Sequence, residues 1–292
     1  MVYLWIFSGL LLLLILWSSL EQRILVKSEY IIQARKESLT EEINFVVLSD
    51  LHNKKIGKNN RVLIKKILDQ NPDFVIIAGD LVTKRKPCYP SNAYDLIKEL
   101  SDYYPIFYGY GNHEQSFEDM SKDPNKDEFL YEAWCKYKNK LLDLGVHLLD
   151  NKSIIIQSSN NKLTITGLSL PMDYYRKGKL AKLEQDEITN KIGKRSKEGY
   201  QILIAHNPMY FKEYIGWRAD LVLSGHVHGG LVRLPFIGGV ISPQVRLFPK
   251  YDAGLFSEQG YNMVVSRGLG THSYMPRFFN PPQLLVIKIK PS

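Results

Sequence analysis

Five of the seven histidines in this chain stand beside aspartate, asparagine or glycine, at polar stops between apolar runs. Asp50-Leu51-His52 ends one run, Gly79-Asp80 a second, and Gly111-Asn112-His113-Glu114 a third; His206 ends a fourth and Gly225-His226-Val227-His228 a fifth. A mixed oxygen and imidazole set suits a divalent ion such as Mn, Fe or Zn and disfavours one that seeks thiolates. Asp50-x-His52 and His226-x-His228 each offer two donors from one loop, expected to be extended so that residues i and i+2 point the same way. Asp80 is a carboxylate able to bridge two ions, and Asn112 adds a neutral oxygen. Two such ions roughly 3.5–4 Å apart would clamp a phosphate and ionise a water for in-line attack.

A lone histidine is more simply a structural residue, and His147 and His272, which lack such company, are read that way. Five at successive strand ends are not a structural accident. Glu114 is read as a residue that organises its loop rather than as a base. Arg267 and Arg277 either clamp a substrate phosphate or serve the structure, a choice the sequence leaves open. Cys88 and Cys135, the two cysteines, fit no zinc-ligand spacing and are too few for a disulfide framework.

Those residues need elements to hold them. Strands are expected at Ile43–Leu48, Phe74–Ala78, Ile106–Tyr108, Ile154–Gln157, Leu163–Thr166, Gln201–Ala205, Leu221–Leu223, Asn262–Val265 and Leu284–Ile289. Helical patterns lie near Asn60–Gln70, with Val62, Leu63, Ile67 and Leu68 on its apolar face, near Asn92–Leu100, at Asp127–Leu144 before the cap residue Gly145, and near Leu180–Lys191. This is a layered α/β order, in which ligands bind at the carboxyl ends of strands.

Taken in order, D-x-H, G-D, G-N-H-E, a histidine after a strand and G-H-x-H resemble the calcineurin-like metallophosphoesterase superfamily. The likeness covers nearly all of 43–292. It implies an α/β layered fold of two mixed β-sheets flanked by helices. It also implies that Asp50, His52 and His228 hold one metal, that Asn112, His206 and His226 hold the other, and that Asp80 bridges them. His113 is then no ligand but the phosphate contact and general acid toward the leaving oxygen. A narrower likeness rests on GHVHGG at 225–230, VSRGLG at 265–270, and Arg277 before Pro281-Pro282. These resemble a membrane-anchored bacterial phosphoesterase subgroup whose relatives include UDP-diacylglucosamine pyrophosphatases. Exported members begin with an arginine pair, which this sequence lacks.

Residues 1–20 carry no charged side chain, and as a helix they span roughly 30 Å, a bilayer core. A cleaved signal peptide would want a basic n-region and an A-x-A-like site, and neither is there. The expected organisation is a transmembrane signal-anchor at 1–20, a polar juxtamembrane connector at 21–42, and one catalytic domain at 43–292. Arg23, Lys27, Arg35 and Lys36 follow the span and no basic residue precedes it, so the positive-inside rule puts the domain in the cytoplasm, at the cell membrane.

In 292 residues, a net charge of +8 favours anionic partners. The basic clusters Lys54–Lys58, Lys84-Arg85-Lys86 and Lys191–Lys197 are solvated faces first and a draw toward anionic lipid second, worth about 1 kcal/mol per residue at such a surface. Their interleaved acids and the lack of a stacking-aromatic motif argue against nucleic acid. Leu231, Leu234, Pro235, Phe236 and Ile237, directly after the last ligand loop, are either core or an apolar wall for a lipid tail. The expected activity is hydrolysis of a phosphoester or pyrophosphate, on a lipid, a lipid-linked or a soluble substrate. A non-catalytic scaffold would be expected to have lost ligands, and none is missing.

Overall fold

The computed structural model describes residues 1–35, 39–84, 90–123, 125, 127–176, 178, 181–234, 236–242, 246–271 and 277–292. Of the residues named above, Lys36, Arg85, Lys86, Cys88, Leu180, Pro235 and His272 lie outside the described residues.

Runs such as INFVVL, FVIIA and YQILIA are apolar at almost every position because both faces of their strands are covered. The first sheet has the order β1 (Val26–Gln33), β14 (Gln283–Lys290), β2 (Ile43–Leu48), β3 (Phe74–Ala78), β4 (Ile106–Gly109), β5 (His147–Leu149). From β2 to β5 its strands are parallel, β14 is antiparallel to β2, and β1 is parallel to β14. The second sheet runs β12 (Gly254–Glu258), β13 (Tyr261–Val265), β9 (Leu221–Ser224), β8 (Tyr200–Ala205), β7 (Asn161–Leu168), β6 (Lys152–Ser158). Its four inner strands are parallel and its edges antiparallel. A short hairpin, β10 (Val232–Leu234) and β11 (Gly238–Ile241), stands apart. Both large sheets are mixed, as expected.

Strand alternation divides each run between two layers. Phe45, Val47, Phe74, Ile76, Phe107, Ile202, Ile204, Leu223 and Ile287 face inward and form the core between the sheets. Their neighbours Val46, Leu48, Val75 and Ile77 face outward, against α2 (Arg61–Leu68), α3 (Ser91–Ser101) and α5 (Glu128–Asp143). Leu203, Val222 and Val265 turn to α6 (Gln185–Ile192) and α7 (Phe211–Trp217). On α2 the buried stripe is Leu63, Ile64 and Ile67, whereas Val62 is exposed, so the helix is rotated from the expected face.

The segment 21–42, read as a connector, contains β1. Its eight residues pair in register with β14 from Val26–Gln283 to Gln33–Lys290. As an edge strand it buries one face only, and VKSEYIIQ therefore lacks the continuous apolar run that marked the central strands. The apolar helix α1 (Val2–Glu21) is almost wholly exposed and long and apolar enough to cross a membrane. Its C-terminal end touches the domain: Ser18 Oγ donates to the Arg277 carbonyl at 2.6 Å.

Candidate metal centre

The parallel strands β2, β3, β4, β8 and β9 all end at one edge of the sandwich, and the five polar stops meet there. Asp50 and His52 leave β2, Asp80 leaves β3, His206 leaves β8, and His226 and His228 leave β9. Asn112 and His113 open a helix, α4 (Asn112–Asp119), which follows β4 directly. Ligand atoms of Asp50, His52 and His228 lie within 4.8 Å of one another, as do those of Asp80, His206 and His226, and those of His52, Asp80 and His113. His52 Nε2 is 3.1 Å from His228 Nε2, which is 3.3 Å from Asp50 Oδ1. His206 Nε2 lies 3.2 Å from Asp80 Oδ2 and 3.7 Å from Asp50 Oδ1.

The loops are not extended as expected. Asp50, His52, Asp80, His226 and His228 all have φ between +50° and +69°. A side chain in this left-handed region costs roughly 1–2 kcal/mol per residue, and here it curls each loop until its donors converge. Gly79 needs the same freedom at φ +85°, and a Cβ there would come within 2.7 Å of the Gly111 backbone. Backbone bonds tie the loops together: Asp50 N to Gly79 O, His52 N to Asp80 O, Gly225 N to His206 O and Gly270 N to Asp50 O.

Glu114, the third residue of α4, is fully buried and takes no part in the donor cluster. It accepts from the backbone N–H of Asp80, Leu81, Val82 and Gly111, and from the Tyr108 hydroxyl. Its bond to the Gly111 N–H is the N3-to-N-cap bond of a capping box, made here without the reciprocal half because glycine has no side chain. Burial, then the nearby Asp80 charge, raise its pKa above the usual carboxylate value. It organises its loop, as its position after His113 suggested.

The electrostatics are those of a cation site. Burial works against ionised Asp80, but His206, His113 and His52 hold it well below the ordinary carboxylate range. Burial pushes Asp50 up to about 7, against the pull of His206. Burial alone would depress His206, yet Asp80 and Asp50 drive its pKa up to about 10. Its Nδ1–H donates to the Ala78 carbonyl at 2.6 Å, which turns Nε2 toward the two carboxylates. Asn112 Oδ1 is buried without a hydrogen-bond partner. Two carboxylates, four imidazoles and this orphaned oxygen fit divalent ions of the kind expected.

Several supporting residues carried no sequence signal. Ser49 Oγ donates to Asp50 Oδ2. Tyr175 sets its ring edge-on to His226 at 4.9 Å. Asn280 Nδ2 donates to the carbonyls of His228 and Gly230. Arg277 is 1% exposed and donates to Gly270 O and Asn280 Oδ1, so it is a structural brace. Arg267 is only half-buried. His147 stacks on Phe107, in keeping with its structural reading. Of these residues, Tyr175 sits far from any motif in sequence, and Asn280, though next to Pro281-Pro282, reaches the His228 loop only through folding.

Fold and site together define a metal-dependent hydrolase of phosphoric esters. The family model for calcineurin-like phosphoesterases matches residues 43–230, and the chain belongs to that family. It is 28% identical over 277 residues to an uncharacterised metallophosphoesterase of Aquifex aeolicus (strain VF5), covering 94% of this chain and 95% of that one. An uncharacterised metallophosphoesterase of Campylobacter jejuni is 29% identical over 87% of this chain, which spans 60% of that relative's length. The phosphodiesterase YaeI of Escherichia coli (strain K12) is 24% identical over 70% of this chain and 66% of its own. Among solved structures, a phosphopantetheinyl hydrolase from Mycobacterium tuberculosis superimposes with a TM-score of 0.46 at 14% identity, over 78% of this chain and 89% of that one.

Proposed function

We propose that the protein is a membrane-anchored phosphoesterase with two divalent ions, Mn, Fe or Zn, acting on a phosphodiester or pyrophosphate of a lipid or lipid-linked substrate. The observation that carries this reading is the convergence of seven donors at one sheet edge, with Asn112 Oδ1 buried and unpartnered there. Asp50, His52 and His228 would hold one ion, Asn112, His206 and His226 the other, and Asp80 both. Bound ions supply Lewis acidity to a phosphoryl oxygen and lower the pKa of a water.

The chain's own residues do the rest. Lys84 N–H donates to His113 Nδ1 at 3.2 Å, so a neutral His113 carries its proton on Nε2. There Nε2–H would donate a hydrogen bond to the leaving oxygen, full proton transfer requiring His113 as the imidazolium, and the His113 backbone N–H, donating to Asp80 Oδ1 at 2.8 Å, fixes the residue beside the cluster. The anchoring rests on α1, with the domain on the cytoplasmic face. The name of the E. coli relative, a phosphodiesterase, favours a diester over a monoester.

The test is hydrolysis by the full chain, with and without Mn, of a chromogenic phosphodiester, the matching monoester, a UDP-sugar and lipid pyrophosphates. Product mass should be followed alongside phosphate release. Mn-dependent cleavage of a diester or pyrophosphate is expected. No cleavage of any substrate with metal supplied would leave a metal-binding scaffold as the better reading.

A further inference from the structure

Beyond the His228 loop, from Arg233 onward, the surface opens into a cleft of about 470 Å³. Arg233, Leu234, Phe236, Ile237, Gly238, Asp252, Arg267 and Phe279 line it. Its two ends differ in chemistry. At the inner end, Arg267 packs its aliphatic stem against Gly229, and its Nε is closed off from solvent without a hydrogen-bond partner. Arg233 stands beside it, donating to Gly229 O at 3.1 Å and to Asp252 Oδ2 at 2.8 Å. Asp252 therefore pairs directly with Arg233, while Arg267 feels only the more distant negative charge of Glu21. Burial, then the Arg233 charge, lower the pKa of Arg267 below its usual value, with Tyr30 and Glu21 opposing.

At the outer end the walls are apolar and unusually bare. Phe236 is 108% exposed, Ile237 61% and Phe279 48%. Phe236 and Phe279 are also held at φ +66° and +55°, a conformation that costs a side chain energy and here presents rings to the outside. The same face receives α1. Ser18 donates to Arg277 O, two residues before Phe279, and the Glu21 charge bears on Arg267.

We propose that this cleft seats an anionic phospholipid of the bilayer, its head on Arg267 and Arg233 and a chain over Phe236, Ile237 and Phe279. The inference rests on the reading of α1 as a membrane span, which puts the lipid surface at this end of the domain. It goes beyond that reading by naming a lipid site outside the metal cluster and by fixing its charge. A bare guanidinium at the inner end selects the anionic head, and bare aromatics at the mouth select a chain rather than a free phosphate. A lipid so held would have its head on Arg267, whose stem packs against Gly229 beside the His228 loop.

Native mass spectrometry of the detergent-purified full chain, offered equal dioleoyl-phosphatidylglycerol and dioleoyl-phosphatidylcholine, tests this. Retention of the anionic lipid should exceed that of the zwitterionic one by about fivefold, the worth of one basic side chain at an anionic surface. Arg267→Gln should abolish the preference. Phe236→Ser, at a side chain the fold does not bury, should lower retention of both lipids without changing their ratio. Equal retention by the unaltered chain, a preference that survives Arg267→Gln, or displacement of the lipid by millimolar inorganic phosphate would each overturn the proposal. Alkaline carbonate extraction of membranes bearing the full chain tests α1 separately: release of the chain would refute the anchor whatever the lipid result.

Discussion

At the scale of single residues, the proposed function separates the donors that would hold ions from His113, which would serve the leaving oxygen. Asp80 lies within reach of both imidazole groups, and His226 belongs to only one. Asp80→Asn or His226→Ala is expected to abolish hydrolysis and lower bound metal by elemental analysis, with the far-ultraviolet dichroism unchanged, because the apolar strands hold the sheets. Full activity at ordinary metal levels in either variant would remove the two-ion assignment. His113→Ala should keep its metal and lose about 10²–10⁴-fold in turnover, the usual worth of a positioned proton donor. The loss should shrink with nitrophenol as leaving group, which needs little protonation. An equal loss for good and poor leaving groups would instead mark His113 as a phosphate-positioning residue.

At the scale of elements, the site depends on how tightly the β3 and β4 ends approach. Gly79→Ala forces an L side chain into φ +85° and drives its Cβ to 2.6 Å from His206 Nδ1 and 2.7 Å from Gly111. The backbone at Gly111 cannot swing away as a flexible side chain would. A stability loss of roughly 2 kcal/mol or more is expected, read from denaturant midpoints, together with a drop in metal content. A variant with unchanged midpoint and full metal would show that the loops are looser than their contacts imply. The strands themselves were legible wherever both faces are buried: Ile43–Leu48 and Phe74–Ala78 stand at the residues their apolar runs indicated. β1, β5, the β10–β11 hairpin and β12 were not, since short or one-sided strands alternate with polar residues and look like loops.

At the scale of the molecule, β1 changes where the domain begins. Leu25, Ile32 and Ala34 are buried, and Val26 N–H bonds to Pro282 O before the eight paired positions start. A chain lacking residues 1–22 should be soluble, melt cooperatively and cleave small chromogenic esters, while losing efficiency on membrane-embedded substrate because the anchor no longer raises its local concentration. One lacking residues 1–42 should aggregate or melt several degrees lower, since β14 then presents a long, bare edge. Equal melting of the two would show that β1 contributes nothing. Protease added to intact cells addresses the orientation, and digestion of the domain from outside would refute the cytoplasmic placement while leaving the chemistry untouched.

That Asp50, His52, Asp80, Asn112, His113, His206, His226 and His228 gather at one sheet edge was legible because strand and polar stop follow each other within a few residues, and local pattern is what a sequence displays. Glu114 was legible in kind for the same reason, three residues into a helix that begins at the motif. What the sequence could not display is what depends on contacts across hundreds of positions. The brace from Arg277 through Asn280 to the His228 carbonyl joins residues about fifty apart, and Ser18 reaches Arg277 from the other end of the chain. The choice between clamp and brace for Arg267 and Arg277 likewise turned on burial, which packing decides. The left-handed loops too were invisible in advance, because only a few per cent of non-glycine residues adopt that backbone, aspartate and histidine more often than most, and only the surrounding sheets over-determine it here.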